Sequence, residues 1–185
     1  MKRALLLIFS APWLLTGCAT MTPDECRVAD WYLIGEMDAR SGRTPTHFAN
    51  RDRACREAGY PADAQSWRQG WEQGLTVFCT APQGFRFGRE GGRYESICPA
   101  ALEPDFLRGF DLGRQMHTVS ERAGSLRSEL RGVEAALEQD RRRGQLTEDE
   151  LADLRRDRAA LQGRLRDAEL ELAELTGLAR GLGFL

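Results

Sequence analysis

The sequence predicts an all-α protein in which a small, disulfide-stabilised helical domain is followed by an antiparallel helical hairpin that forms a coiled coil. Three observations favour this class. Several segments open with helix-capping residues and end at glycine or proline. Four cysteines lie within residues 26–98. From about residue 116, apolar residues recur every three or four positions with charges between them, which is typical of coiled coils.

The N-terminal segment, residues 1–17, has the pattern of an export signal. A short positive region precedes an apolar run at residues 4–15, which is too short to span a bilayer. Leu15-Thr16-Gly17-Cys18 resembles the lipobox of bacterial lipoproteins, which implies cleavage before Cys18 and a diacylglycerol on its thiol. By resemblance to the sorting rule of those lipoproteins, Ala19 favours the outer membrane, so we expect a lipid-anchored, periplasm-facing protein.

Composition excludes several classes of function. Removing residues 1–17 removes Lys2 and Arg3, so the basic residues fall from 26 to 24 against 28 acidic ones, a net charge of −4. Nucleic-acid-binding proteins carry an excess of basic residues, so this charge balance argues against that class of protein. Lys2 is also the sole lysine of the chain, which excludes lysine-nucleophile chemistry in the mature protein. No cofactor-binding motif is present, and no cofactor is expected.

The four cysteines after Cys18 predict two disulfides, because an even number in an exported chain is typical of a disulfide framework. Three connectivities are possible, and we favour the two neighbouring pairs. Zinc, with His47 and His117 as further ligands, is the alternative, but no two cysteines have the usual paired spacing, so no metal is expected. The predicted disulfide cysteines are Cys26, Cys55, Cys79 and Cys98.

Capping signals predict four helices ahead of the hairpin. Thr22-Pro23-Asp24-Glu25 forms a capping box that leaves only a short tether after Cys18. Residues 80–99 contain several glycines and are predicted to form a long loop or a small hairpin. The predicted helices run from Thr22 to about Arg40, from about Thr46 to Ala58, from Asp63 to about Phe78, and onward from about Pro104.

A weak internal repeat runs through three of these helices: an aromatic residue, a small residue three positions later, and another four after that. The spacing places the small residues on one stripe, where another backbone can approach closely. Close helix packing is the favoured interpretation, and a glycine-lined ligand groove is the alternative. The three copies begin at Tyr32, Trp67 and Phe106 and place their small residues at Gly35 and Ala39, Gly70 and Gly74, and Gly109 and Gly113.

The C-terminal third contains two heptad stretches. Gly144 ends the first predicted helix, and Thr147-Glu148-Asp149-Glu150 forms a capping box for the second. Because this connection is short, the two helices must run antiparallel, with arms of about 45 Å at 1.5 Å per residue. The predicted domains are a signal at 1–17, a lipidated N-terminus and tether at 18–23, a Cys-rich helical domain at 24–115, and a coiled-coil hairpin at 116–180.

An ordered set of residues resembles a proteobacterial lipoprotein family of unknown function, DUF2799. The resemblance covers about residues 24–117 and implies an envelope lipoprotein without an established activity. It does not reach the heptad segment. The set comprises Cys26, Ala29-Asp30-Trp31, Gly35, Cys55, Gly70, Gly74-Leu75, Phe78-Cys79, Gly84-Phe85, Gly88-Arg89, Tyr94, Cys98-Pro99, Phe106, Gly109 and Gly113.

Three functions follow as hypotheses. The first is a non-enzymatic outer-membrane lipoprotein that presents its hairpin to an envelope protein or to a second copy. The second is a module that binds cell wall or a small anionic ligand through the 80–99 loop, with Arg86, Arg89 and Arg93 as the binding residues. The third is a hydrolase that uses Asp30 or Asp38, although the chain has no recognisable catalytic motif and we expect no enzyme.

Overall fold

The computed structural model describes residues 21–185, and within that range the regular structure is entirely α-helical. The predicted all-α class is confirmed. The export signal, Cys18 and the first part of the tether lie outside the described residues. The helices are α1 (Pro23–Arg27), α2 (Trp31–Arg40), α3 (Thr46–Glu57), α4 (Ala64–Phe78), α5 (Ala81–Arg89), α6 (Glu103–Arg143) and α7 (Glu148–Gly181).

The single helix predicted from Thr22 to Arg40 is wrong, because the chain forms two helices there. The capping box at Thr22 starts α1 as predicted. The break occurs because the Asp30 side chain accepts a hydrogen bond from the backbone N–H of Leu33, at 3.0 Å, and so caps a new helix.

The loop or small hairpin predicted at residues 80–99 is also wrong, because Ala81–Arg89 is helix α5. Pro82 lies in its first turn, where the missing N–H costs little. Gly84 and Gly88 weaken a helix intrinsically, but both are buried against α6. Tertiary packing therefore outweighs the low helix propensity of this segment.

Two helix pairs, α2 with α4 and α5 with α6, are held together by glycine contacts. A Cβ at Gly70 would overlap the carbonyl oxygen of Tyr32, and one at Gly74 would overlap that of Glu36. The contacts advance in the same direction along α2 and α4, so the helices run parallel. The favoured interpretation of the repeat, close helix packing, is the arrangement that the structure has.

The second pair repeats this layout. A Cβ at Gly84 would overlap the carbonyl oxygen of Phe106, and one at Gly109 would overlap that of Ala81. Helix α5 therefore carries a fourth copy of the motif, Ala81-x-x-Gly84-x-x-x-Gly88, with alanine in the aromatic position. Both pairs are parallel, so each needs a crossover connection, which α3 and residues 90–102 provide.

Two disulfides form in the neighbouring pairing favoured from the sequence, and each joins the segment ahead of a helix pair to the crossover within that pair. Cys26, on α1, bonds to Cys55, on α3, with their Cα atoms 5.4 Å apart. Cys79 bonds to Cys98 with a Cα–Cα distance of 5.7 Å. Since all four thiols are used in these bonds, the alternative of a cysteine-ligated zinc site is excluded.

Helices α6 and α7 form the predicted antiparallel hairpin. Gly144 adopts φ +60° and ends α6, while the Thr147 capping box starts α7. Two ion pairs, Arg122 with Glu171 and Arg127 with Glu169, cross between the helices. Helix α6 is continuous from Glu103 to Arg143, so the predicted domain boundary at 115/116 falls inside a helix and stays a prediction.

The base of the hairpin is docked on the N-terminal part. The Phe184 ring, beyond the end of α7, stacks on Phe85 of α5 with 5.1 Å between ring centroids. Leu112, Met116 and Ala179 are buried around the same contact. Within residues 21–185, no helix has both the length and the apolar character that crossing a membrane requires.

Candidate functional site

A cleft beside α6 brings together basic and aromatic side chains from two parts of the chain. Its volume is about 470 Å³. One wall comes from the loop that follows α5, and the other from successive turns of α6. We call this the α6 cleft, and its lining residues are Gly91, Gly92, Arg93, Tyr94, Phe110, Arg114, His117 and Thr118.

The loop wall of the α6 cleft is fixed by a glycine turn against His117. Gly91 has φ +78°, a conformation that favours glycine, and a Cβ there would lie 2.7 Å from Cε1 of His117. The Nδ1 atom of His117 is 3.2 Å from the carbonyl oxygen of Arg89. With Nδ1–H donating to that carbonyl, Nε2 is the ring nitrogen left for other partners.

Tyr94 forms the apolar floor of the α6 cleft with Phe110. The Tyr94 hydroxyl donates to Oε1 of Glu103, at 2.9 Å, and accepts the backbone N–H of Cys98, at 3.1 Å. Burial of the phenol raises the pKa of Tyr94 to about 12, and the hydrogen bond to Glu103 acts in the same direction. At neutral pH this residue is therefore a protonated donor.

The lining of the α6 cleft is cationic. It contains two arginines and a histidine and no carboxylate. Arg114 lies over the Phe110 ring, with its guanidinium carbon 5.8 Å from the centroid, and no ion pair of Arg114 occurs among residues 21–185. Arg93 is paired with Glu95, at 3.2 Å, but both side chains are exposed. Such a lining suits an anionic group better than a cation or a neutral ligand.

The three arginines predicted as binding residues do not meet in one cavity. Arg93 lines the α6 cleft, whereas Arg86 lines a separate cavity with Arg40 and Phe78. Arg89 is held over the Phe85 ring, with 5.4 Å from its guanidinium carbon to the centroid.

The sequence interpretation missed Arg114 and considered His117 only as a zinc ligand. The repeat that begins at Phe106 could have pointed to Arg114, because this arginine directly follows Gly113, the second glycine of the repeat. Gly113 contacts α5, so Arg114 lies on the helix that α5 packs against.

The two carboxylates considered for hydrolysis both stabilise the fold. Asp30 caps α2. Asp38 is only 1% exposed, and its oxygens accept hydrogen bonds from Nε1 of Trp67, at 3.1 Å, from Arg43, at 3.4 Å, and from Arg51. The side chain of Asp38 is therefore surrounded by structural partners.

A second candidate surface lies on the hairpin, because α6 and α7 bury only part of the apolar residues along the contact between them. Near the base, Val119, Ala123 and Leu126 are buried, while Leu130 and Val133 farther along α6 are only partly buried. Beside Val133 lies a shallow cavity of about 500 Å³. We call it the hairpin groove, and it is lined by Glu129, Gly132, Val133, Asp157, Ala160, Leu161 and Arg164.

The hairpin groove has an apolar floor and charged edges. Gly132 and Ala160 are exposed small residues, and a Cβ at Gly132 would meet nothing within 4 Å. Asp157 and Arg164 lie two turns apart on α7, on either side of Ala160. A second helix with a basic residue opposite Asp157 and an acidic residue opposite Arg164 would therefore find both packing space and ion-pair partners there.

Part of the chain is similar to a known protein family. Residues 30–115 match the family described as protein of unknown function (DUF2799), which confirms the resemblance to this family, whereas the proteobacterial origin and the lipoprotein character stay predictions. This match covers α2 to α5 and the start of α6 and ends before the hairpin groove. No curated protein and no solved structure matches the chain.

Proposed function

We propose that this chain, whose residues 30–115 are DUF2799-like, is a non-enzymatic outer-membrane lipoprotein that presents its helical hairpin to a protein partner. The partner is an envelope protein or a second copy of the chain. The observation that carries the proposal is the hairpin groove, with its partly buried seam, open glycine and flanking charges.

The lipid anchor rests on the sequence of residues 1–18 and on where the helices begin. Cys18 lies three residues before Met21, the first described residue, and the Thr22 capping box follows at once. We propose that the folded part therefore faces the periplasm from close to the membrane, and that the hairpin reaches outward from it. Mass spectrometry of the mature N-terminal peptide tests the anchor, because diacylglycerol on Cys18 adds a defined mass.

Substitution of Ala160 tests the hairpin groove. An Ala160→Arg side chain would fill the groove without disturbing buried contacts, since Ala160 is exposed. Ala159→Arg is the matched control, because Ala159 is also exposed and does not line the groove. We expect the wild type and the control to form a complex, detected by light scattering or by copurification from the envelope, and Ala160→Arg to lose it. Equal complex formation by all three proteins would contradict the role of the groove.

A second candidate function is the binding of a small anionic ligand in the α6 cleft. The observation that favours it is the lining of Arg93, Arg114 and His117 without a carboxylate. Calorimetric titration with inorganic phosphate and with soluble peptidoglycan fragments tests it. Arg114→Ala should abolish the binding heat, whereas Arg86→Ala, in a different cavity, should leave it unchanged. Absence of heat for both ligands with the wild type would remove this candidate.

A further inference from the structure

The side of α7 that faces away from α6 carries a large apolar residue, Leu170, which is 64% exposed. Leu170 lies nine positions after Leu161 and nine positions before Ala179, both of which are buried. Nine positions are two and a half turns of helix, so Leu170 lies on the side of α7 opposite to these buried contacts. Single exposed leucines are common on soluble proteins, so the meaning of this one depends on its neighbours.

Two residues of opposite charge flank Leu170 symmetrically on this side of α7. Arg166 lies four positions before Leu170, and Glu174 lies four positions after it, about one turn away in each direction. Both side chains are exposed, and neither forms an ion pair among residues 21–185. The neighbouring carboxylates, Glu169 and Glu171, are paired with arginines of α6 instead. Arg166 and Glu174 therefore remain available to an outside partner.

The symmetry about Leu170 extends one turn farther, to two glycines. Gly163 lies seven positions before Leu170 and Gly177 seven positions after it, and a Cβ at either would meet nothing within 4 Å. The missing side chains leave room for another helix at both ends. Gly163, Arg166, Leu170, Glu174 and Gly177 thus have the same spacing in both directions, with opposite charges at matching positions. We call these five residues the α7 face.

A helix face with this symmetry is complementary to a second copy of itself in the antiparallel orientation. When two α7 helices cross antiparallel at Leu170, Arg166 of each copy lies opposite Glu174 of the other. Both ion pairs then form together, and the two leucines meet on the twofold axis. In the parallel orientation, arginine would lie opposite arginine and glutamate opposite glutamate, which is unfavourable.

We infer that the α7 face is a self-association surface, whose partner is the same face of a second copy in the antiparallel orientation. None of its five residues lines the hairpin groove, so the inference goes beyond the proposed function and leaves the groove free for an envelope protein. Burial of the two leucines favours association, while the exposed ion pairs chiefly set the orientation.

The contact between the two α7 faces is small. Residues 163–177 span about 21 Å of helix at 1.5 Å per residue. Such a contact buries less than the roughly 800 Å² per partner of a standard interface, so the dimer is weak in solution. A crosslink that traps the dimer is therefore a better measurement than its mass at equilibrium.

Disulfide crosslinking of the full-length protein in its native envelope tests this inference. In Leu170→Cys, the two introduced thiols face each other across the twofold axis. In Glu174→Cys, the matched control on the same face, they are offset by about 12 Å along the helices, beyond the roughly 7 Å Cα–Cα limit of a disulfide. The four native disulfide cysteines are at most 7% exposed and should not compete. After mild oxidation, we expect several-fold more disulfide-linked dimer from Leu170→Cys than from Glu174→Cys on a non-reducing gel.

Co-expression of Arg166→Cys with Glu174→Cys tests the orientation. The antiparallel dimer places these two positions opposite each other, so the mixed pair should crosslink although neither variant does so alone. Failure of the mixed pair would overturn the antiparallel orientation. Equal dimer from Leu170→Cys and Glu174→Cys, or no dimer from Leu170→Cys, would overturn the inference as a whole.

Ala160→Arg, added to Leu170→Cys, separates the α7 face from the hairpin groove. Ala160 lines the groove and is not part of the α7 face, so the crosslink at position 170 should persist in the double variant. Loss of the crosslink would assign self-association to the groove and overturn the inference. Absence of the crosslink in Leu170→Cys alone leaves the groove proposal intact, because its own test measures complexes at position 160.

Discussion

At the scale of single residues, two kinds of helical glycine have opposite roles in this chain. Gly84 and Gly109 lie where a Cβ would overlap backbone carbonyl oxygens of the facing helix. Gly132 and Gly163 lie on the hairpin with nothing within 4 Å of a Cβ. Backbone cannot move aside as a flexible side chain can, so the first kind is required by packing and the second is not.

Substitution by alanine should separate these two kinds. Gly84→Ala forces α5 and α6 apart and should reduce the free energy of unfolding by about 1–3 kcal/mol. Gly132→Ala meets open space and should raise it by about 0.5–1 kcal/mol, because alanine is the better helix former. Urea unfolding followed by circular dichroism measures both. A similar change of the same sign in the two variants would contradict this account of the helix pairs.

Asp38 is the second residue on which the N-terminal part depends. Asp38→Ala leaves the largely buried Arg51 without its carboxylate and removes the partner of Trp67 Nε1. We expect a loss of about 3 kcal/mol in the free energy of unfolding, typical of breaking a buried ion pair. The control is Glu36→Ala on the same helix, which breaks the half-exposed pair with Arg40 and should cost less than about 1 kcal/mol. Equal losses in thermal unfolding would be evidence against a structural role for Asp38.

At the scale of helices, the sequence predicted most of the capping and three of the four glycine motifs, but not the copy on α5. The boxes at Thr22 and Thr147 and the cap at Asp63 are present, because each depends on residues within one turn. Helix α5 was missed, because its stability comes from burial against α6, more than twenty positions away. The same distance separates Arg93 from Arg114 and His117, so no local pattern could assemble the α6 cleft.

The capping box of α7 predicts a pH dependence for the hairpin. The backbone N–H and hydroxyl of Thr147 both bind the Glu150 carboxylate, and the backbone bond is the larger cause of its lowered pKa. A carboxyl whose folded pKa is lowered stabilises the folded state above its ordinary value of 4.5, and this contribution is lost as the pH falls below it. The difference in thermal stability between the wild type and Glu150→Ala should therefore be largest near neutral pH and shrink below pH 4.5. A difference that is constant with pH would contradict the capping role.

At the scale of the whole molecule, the chain combines two similar helix pairs with one long hairpin. Each pair has two parallel helices with facing glycines, and one disulfide joins the segment ahead of the pair to its crossover. The second pair is therefore a structural repeat of the first. Helix α6 belongs to the second pair and continues into the hairpin. The base of the hairpin packs on that pair through the contact between Phe184 and Phe85.

Reduction should affect the two parts of the molecule unequally. Both disulfides lie before Pro99, and loops of this size contribute about 3 kcal/mol each to stability. We expect amide hydrogens in α2 and α4 to exchange much faster after reduction, while those around Leu126 and Leu161 in the hairpin keep their protection. Hydrogen exchange with and without a reductant measures this. Equal acceleration in both parts would show that the molecule unfolds as one unit.

The central claim is the proposal that the hairpin groove is the surface through which this protein contacts another protein. Photo-crosslinking in the native envelope tests it most directly, with a benzophenone amino acid at Ala160 and, as the control, at Ala159. The account predicts one discrete protein adduct, with an envelope protein or a second copy, from position 160 and little from position 159. No protein adduct from position 160, or the same adducts from both positions, would contradict it.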